Sequence, residues 1–268
     1  MAAMMLPRLR VFPEGSPGPG AAWQQVPSYK LASDLLAFVR CPRGHWGTLR
    51  AKSSANPRGH EIMADGRVLP SVVCPACSTS LGCDFHEWIQ LGDWTPGRPF
   101  PMQPGAVRAV IVHDSEGPGL QPFGDVEDFH RRPVKMADPK AKPGRGWPAV
   151  AYHWLADATG KTFAMLPEQF QGTHCPGWNS RSVALCLLGD FDLAPPITPQ
   201  LEAGAGILRD LLARYPGARV LGHRAAMIEA GRDPGKRACP GGGGRWLVDL
   251  EARARGLDPD DRLYQGGP

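Results

Sequence analysis

The sequence has no uninterrupted apolar run of roughly 18 residues, the length a helix needs to cross a bilayer, so no membrane insertion is expected. Its first twenty residues, MAAMMLPRLRVFPEGSPGPG, hold no apolar stretch of signal-peptide length before their prolines, which reads as a protein made and kept in a cytosol. Blocks of like charge are missing too. The 30 basic and 26 acidic residues are spread along the chain and leave a net charge of only +4. That excludes a basic arm and ranks nucleic acid last among partner classes, while a mildly basic surface weakly favours an anionic polymer such as a bacterial wall. No internal repeat is evident. A disulfide framework is not expected either, because seven cysteines is an odd number and nothing marks the chain for secretion. Reduced thiols or metal ligands remain.

What is present is a globular composition, 42% hydrophobic and 21% charged, rich in turn-forming residues, with 33 glycines and 29 prolines. Their clusters at 14–20, 117–124, 139–148 and 241–244 predict long loops. The chain divides on composition into a flexible arm at 1–30, a small cysteine-bearing module at 31–93, a proline-rich linker at 94–105, a larger domain at 106–256 and a tail at 257–268. Strands and helices alternate in the larger domain, which predicts an α/β (α+β) class with a mixed central sheet flanked by helices. Strands are expected at Val107–His113, Ala149–Leu155, Lys161–Leu166, Ser182–Leu188 and Arg219–Leu221. The second and third form a hairpin across the turn at 157–160. The continuous apolar run SVALCLL suits a central strand covered on both faces. A helix is expected from Thr198 as N-cap with Pro199 in its first turn, its stripe carried by Leu201, Ala205, Leu208, Leu211 and Leu212. Another is expected at Arg245–Arg255, closed by Gly256.

The chemistry-bearing residues lie at the ends of these strands. His113 ends a buried strand, His223 follows a short one, and Cys239 sits in the turn Ala238-Cys239-Pro240-Gly241. Two imidazoles and a thiolate make a reasonable zinc set with one coordination position left for water. A single histidine at a strand end is more often a hydrogen-bonded surface residue, so residues alone leave both readings open. In the smaller module, Cys41-Pro-Arg-Gly-His45 and Cys74-Pro-Ala-Cys77 look like two knuckles of a closed structural zinc site resembling a zinc ribbon. Cys83 and His86 are substitutes, and reduced loop thiols are the plainer alternative. Cys186, among leucines, reads as a small buried hydrophobe.

Six blocks occur in one order: IVHDS at 111–115, RGWPAVAYHWLADATGKTF at 145–163, GTHCPGWNSRSVALCLLGDFD at 172–192, ITPQLEAGAGILRDLLARY at 197–215, GHR at 222–224 and ACPG at 238–241. Together they resemble the peptidoglycan recognition protein and type-2 N-acetylmuramoyl-L-alanine amidase family, which includes phage amidase-type lysozymes. The resemblance covers roughly residues 105–250. It implies that His113, His223 and Cys239 bind a catalytic zinc, that Tyr152 is the active-site tyrosine, and that Trp147, His174 and Asn179 line the groove for the peptidoglycan stem. It implies cleavage of the amide between N-acetylmuramic acid and L-alanine, with Tyr152 and the cation of Arg237 or Lys236 as oxyanion donors. Two departures stand out. Arg237 occupies a position that holds lysine in many phage amidases, keeping the charge but changing its geometry. The 15 residues between His223 and Cys239 form a lengthened loop whose Asp233-Pro234-Gly235 imitates the Asp ligand of a neighbouring branch. A thiolate is the softer zinc partner and favours Cys239 over Asp233. The arginine and the long loop also leave room for a non-catalytic wall-binding protein on the same fold. No oligomeric state is implied.

Overall fold

The computed structural model describes residues 4–6, 8–9, 22–25, 35–43, 45–53, 56–57, 59–63, 66–69, 72–73, 86–87, 89–92, 100–103, 105–136, 139–140, 142–235 and 238–257. Its contacts fall into two compact units, Met1–Arg98 with Glu127–Pro148, and Pro99–Val126 with Ala149–Pro268.

The first unit is built from short strands. β1 (Met4–Leu6) pairs in parallel with β10 (Ile89–Leu91), and β2 (Arg8–Leu9), β3 (Ala22–Gln25), β4 (Leu35–Arg40) and β5 (Trp46–Arg50) form a four-stranded sheet in that order. β6 (Glu61–Ile62) pairs with β7 (Val68–Leu69), and β8 (Val72–Val73) with β9 (His86–Glu87). Residues 1–30, expected as a flexible arm, therefore hold three strands. The apolar Met4–Leu6 finds in β10 a partner for its backbone groups, a pairing that the proline-rich composition around it hides. β4 alternates its burial, and the inward series Leu35, Ala37, Val39 continues to Cys41, which packs in a small core with Leu49, Val68, Val72, Ile89 and Leu91.

The second unit carries a five-stranded sheet ordered β13-β12-β14-β11-β15, made of β11 (Ala109–Asp114), β12 (Trp154–Ala156), β13 (Thr162–Ala164), β14 (Ser182–Leu187) and β15 (Arg219–Gly222). β12, β14, β11 and β15 run parallel and β13 is the antiparallel edge, so the sheet is mixed, as the alternating pattern requires. β11 and β14 are buried at every residue. Period-two alternation then assigns their faces. Val110, Val112, Val183, Leu185 and Leu187 pack under α2 (Thr198–Arg214) and α4 (Arg245–Arg255), with Leu201, Ala205, Leu208, Leu211, Trp246 and Leu250. Ala109 and Ile111 face the other way, against Cys175, Trp178 and the short α3 (His223–Glu229), through Ala226 and Met227. His113 and Cys186, partners in the β11–β14 register, belong to this second face.

Three local expectations change. The strand expected over 149–155 begins only at Trp154, and residues 149–153 are irregular backbone, though mostly buried. His153 explains the stop: its Nδ1 accepts the Ala184 amide at 2.9 Å, so a ring replaces the backbone acceptor that would extend the ladder. α2 starts at Thr198 with Ile197 as N-cap and no side-chain cap bond, because Pro199 in the first turn already removes one donor that needs a cap. The end of the stretch read as a linker is paired rather than free, with Pro101 bridged to Phe170 and the Met102 amide bonded to the Gln169 carbonyl at 2.6 Å. α1 (Phe123–Arg131) precedes the Gly/Pro-rich 139–148 loop. No helix among the described residues is long and apolar enough to cross a membrane.

Candidate active site

In parallel α/β sheets, ligands gather beyond the carboxyl ends of the strands, where neighbouring connections diverge. Here β11 sends its chain onward between β14 on one side and β15 on the other, and His113 lies near its carboxyl end. β15 ends at Gly222 and His223 opens α3. Cys239 is brought to the same place by a loop tied down at both sides: its carbonyl accepts the Arg224 amide at 3.0 Å, and the Pro240 carbonyl accepts Trp246 Nε1 at 3.0 Å. The approach leaves no room for a side chain at Gly222, where a Cβ would lie 2.8 Å from Pro240 Cδ.

The result is a buried cluster. One ligand atom from each of His113, His223 and Cys239 lies within 4.8 Å of the others, and the three residues are 1%, 6% and 5% exposed. Cys239 Sγ is 3.6 Å from His113 Nδ1, and the two imidazoles lie 4.5 Å apart between ring centroids. Asp233, the alternative third ligand, is exposed and accepts the Gly235 amide at 2.7 Å, closing its own turn, and is not part of the cluster. Of the two candidates for the third position, the fold therefore brings the cysteine to the histidines.

The electrostatics fit a cation. Burial pushes the Cys239 thiol far up, and the charge of Asp114 adds to the effect. Asp114 is itself raised by burial, although Cys239 and the Phe191 backbone pull it back, and its Oδ1 is buried with no hydrogen-bond partner. A thiol and a carboxyl group held together out of water, with one oxygen orphaned, would be relieved by a divalent ion, which would turn the thiol into a thiolate. The donor set of two imidazoles and one sulfur suits zinc.

Two further aromatic side chains, Tyr152 and His174, stand against His113. The Tyr152 ring is 5.1 Å from that of His113, and its side chain bonds to Cys186. Burial, reinforced by the acidic groups around it, raises Tyr152 well above the ordinary phenol value, so it remains a neutral donor. His153 turns away: Nε2 bonds to the Phe170 carbonyl at 2.9 Å and Nδ1 to the Ala184 amide, which leaves Tyr152 as the member of the pair that faces His113. His174 is 6% exposed, with Nδ1 3.1 Å from His113 Nε2 and Nε2 3.3 Å from Ser182 Oγ. Burial, followed by the neighbouring His153 and His223, lowers it well below the ordinary value and keeps it neutral. Asn179 Oδ1 accepts the amides of His174 and Cys175 at 3.1 and 2.8 Å, fixing the loop that presents His174. Trp147, in the first unit, stacks on His130 with centroids 5.0 Å apart. Lys236 and Arg237 lie outside the described residues, as do Cys74, Cys77 and Cys83. Of the proposed structural zinc ligands, Cys41 Sγ and His45 Nδ1 are 3.5 Å apart across the β4–β5 turn.

Sequence reasoning passes over Asp114 and Ser182. Their signals were positional: Asp114 directly follows a ligand at a strand end, and Ser182 shares the strand parity of Cys186, which faces the site.

The family profile described as N-acetylmuramoyl-L-alanine amidase matches residues 103–242, just over half of the chain, and includes all three clustered residues. The chain belongs to this amidase family. Among curated relatives, the endolysin of Enterobacteria phage K11 is 33% identical over 101 residues, which is 36% of this chain and 62% of that protein. The endolysin of Escherichia phage T7 is 31% identical over 139 residues, 49% of this chain and 79% of that protein. Peptidoglycan-recognition protein SC2 of Drosophila melanogaster is 28% identical over 96 residues, 36% of this chain and 50% of its own length. The chain thus spans less than two thirds of the first and third of these relatives and about four fifths of the T7 endolysin. The amidase match falls almost wholly on the second unit and the α1 loop, leaving the β-rich segment at 1–98 outside it.

Proposed function

We propose that this amidase hydrolyses the bond between N-acetylmuramic acid and L-alanine in peptidoglycan, acting as a phage endolysin or another wall-lytic enzyme with one catalytic zinc. The single observation that carries the reading is the convergence of His113, His223 and Cys239, from three separate elements of an amidase-family chain, onto one buried point. When bound, zinc supplies a water acidified towards neutrality and a Lewis acid for the scissile carbonyl. The protein's own groups do the remaining work. The two imidazoles and the sulfur would hold the ion at the end of the sheet, beside Asp114. Tyr152, held as a neutral phenol beside His113, donates a hydrogen bond where negative charge develops on the substrate oxygen, and Arg237 or Lys236 supplies a cation to the same charge. Of the residues that the resemblance assigns to the stem-peptide groove, His174 and Asn179 lie in the second unit and Trp147 in the first.

The test is release of stem peptides from purified peptidoglycan. The wild-type protein is expected to release them and His223→Ala to lose that release; full activity in the variant would refute the reading. A non-catalytic wall-binding protein, suggested by arginine at the usual lysine position, would bind muropeptides without stoichiometric zinc in residues 99–268, so metal analysis separates the two. Synthesis in the host cytosol with action on the wall after release completes the endolysin reading.

A second, structural zinc is assigned to the first unit through Cys41, His45, Cys74 and Cys77. Its support is the 3.5 Å approach of Cys41 and His45, together with the Cys-x-x-Cys pair that follows β8 in the sequence. A closed four-ligand site would hold the small fold rather than react. On this reading residues 31–93 form a ribbon-like module ahead of a catalytic domain at 106–256.

A further inference from the structure

His174 has a role that its place near a substrate groove does not explain, because both of its ring nitrogens are used inside the protein. The hydrogen positions follow from one group that has no choice. The Trp178 carbonyl accepts only, so the Ser182 hydroxyl, 2.8 Å away, spends its single hydrogen there. Toward His174 Nε2, 3.3 Å off, Ser182 Oγ is therefore an acceptor, and that nitrogen carries the proton. In a neutral ring the other nitrogen, Nδ1, is then a bare acceptor. It lies 3.1 Å from His113 Nε2, which must donate to it. His113 then carries its proton on Nε2 and presents an unprotonated Nδ1 to Cys239 Sγ, 3.6 Å away.

We propose that His174 is a positioning residue which, through the chain Trp178 carbonyl, Ser182, His174 and His113, fixes the His113 tautomer and aims its Nδ1 at the metal. The inference deepens the zinc-amidase reading and rests on it. Partners of a metal-binding histidine's second nitrogen are ordinarily a carboxylate, a carbonyl or water. Here a second imidazole takes that place. Its orientation is set at both ends, by Ser182 on Nε2 and by Asn179 on the backbone amides of residues 174 and 175. β14 supplies Ser182 on the same face as Cys186, and β11 supplies His113, so the relay is mounted on two adjacent strands paired residue for residue.

The experiment uses the full-length protein and two readouts. The first is the zinc dissociation constant, measured by chelator competition on metal-stripped protein. His174→Ala is expected to weaken zinc binding about 10- to 100-fold. His174→Asn, which keeps an acceptor near the position of Nδ1, is expected to recover most of that loss, a rescue that a merely space-filling role would not give. The second is the ring ¹⁵N spectrum of the metal-free protein, in which His113 should appear as the Nε2–H tautomer and lose that uniform state in His174→Ala. Should His174→Ala not fold, Ser182→Ala carries the test, with a mixed His174 tautomer expected. Wild-type zinc affinity in a folded His174→Ala protein, or a His113 ring protonated on Nδ1, overturns the relay. If the wild-type protein takes up no zinc, the metal reading fails by itself, and the tautomer spectrum still decides the relay.

Discussion

Two side chains next to each other in sequence, Tyr152 and His153, have opposite fates, and the reason is what their polar atoms meet. Tyr152 faces His113 and is expected to donate to the reacting oxygen; removing one such donor costs about 10²–10³ in kcat. Tyr152→Phe should therefore show that drop in stem-peptide release with an unchanged zinc content, and a variant with normal turnover would remove Tyr152 from the chemistry. His153 is committed to the fold: its Nδ1 accepts a backbone amide, and burial lowers its pKa to about 4. The unfolded chain binds a proton at an ordinary histidine value near 6.5, so between about 6.5 and 4 the unfolded state holds more protons than the folded one. This contribution is fully present above 6.5 and is lost as pH falls towards 4. Urea unfolding of the wild type across that range should show stability falling with acid. His153→Asn, which offers an amide acceptor to Ala184 and takes no proton, should show a shallower fall, and identical slopes would contradict the assignment. The sequence displayed His113 and His223, which the fold brings together with Cys239, because histidines at strand ends are visible. It hid the roles of Ser182 and Asp114, since a serine and an aspartate become informative only when the fold says which face they occupy.

Elements were legible where one pattern dominated. The run SVALCLL read as a doubly covered central strand because nothing polar interrupts it, and α4 was closed correctly by Gly256, whose φ of 69° is the left-handed conformation that a helix end requires. The stretch at 149–155 was over-read because apolar residues buried in irregular backbone have the same composition as a strand, and only the His153 side-chain bond tells them apart. Helix α2 adds a contrast that sequence could not give: two glycines, two residues apart, with opposite surroundings. A Cβ on Gly204 would lie 3.0 Å from Leu250 Cδ1 and 3.3 Å from Leu187 Cδ1, whereas one on Gly206 meets nothing within 4 Å. Gly204 is thus where α2 approaches α4 and the sheet, and Gly206 is only a weak helix former. Gly204→Val should destabilise the protein by about 1–3 kcal/mol through overpacking. Gly206→Ala should stabilise it by about 1 kcal/mol. Denaturant midpoints measure both, and equal effects at the two positions would mean that α2 does not pack as described.

On the scale of the chain, the placement of cysteine and proline leads to a division into a cysteine-bearing N-terminal part and a larger second part. What composition could not show is that residues 127–148, inside the amidase match, group with the N-terminal unit, because that depends on contacts between distant segments. Metal binding provides a test that treats the two parts separately. The proposed metal site joins β11, the start of α3 and the 238–241 loop, which are far apart in sequence, so an ion held there would bind the folded state alone. Free zinc at 1,000 times its dissociation constant then adds about 4 kcal/mol. For a unit of this size that corresponds to roughly 10 °C in melting temperature. Chelation should remove that increment from the wild-type protein. Cys239→Ser should remove most of it even when zinc is plentiful, because a hydroxyl is a poor substitute for a thiolate. A chelator-sensitive shift that persists in Cys239→Ser and disappears when Cys41→Ser is added belongs to a second ion, in the first unit. If Cys239→Ser melts at one temperature with and without chelator, the first unit holds no structural zinc, and its strands are supported by their small apolar core alone.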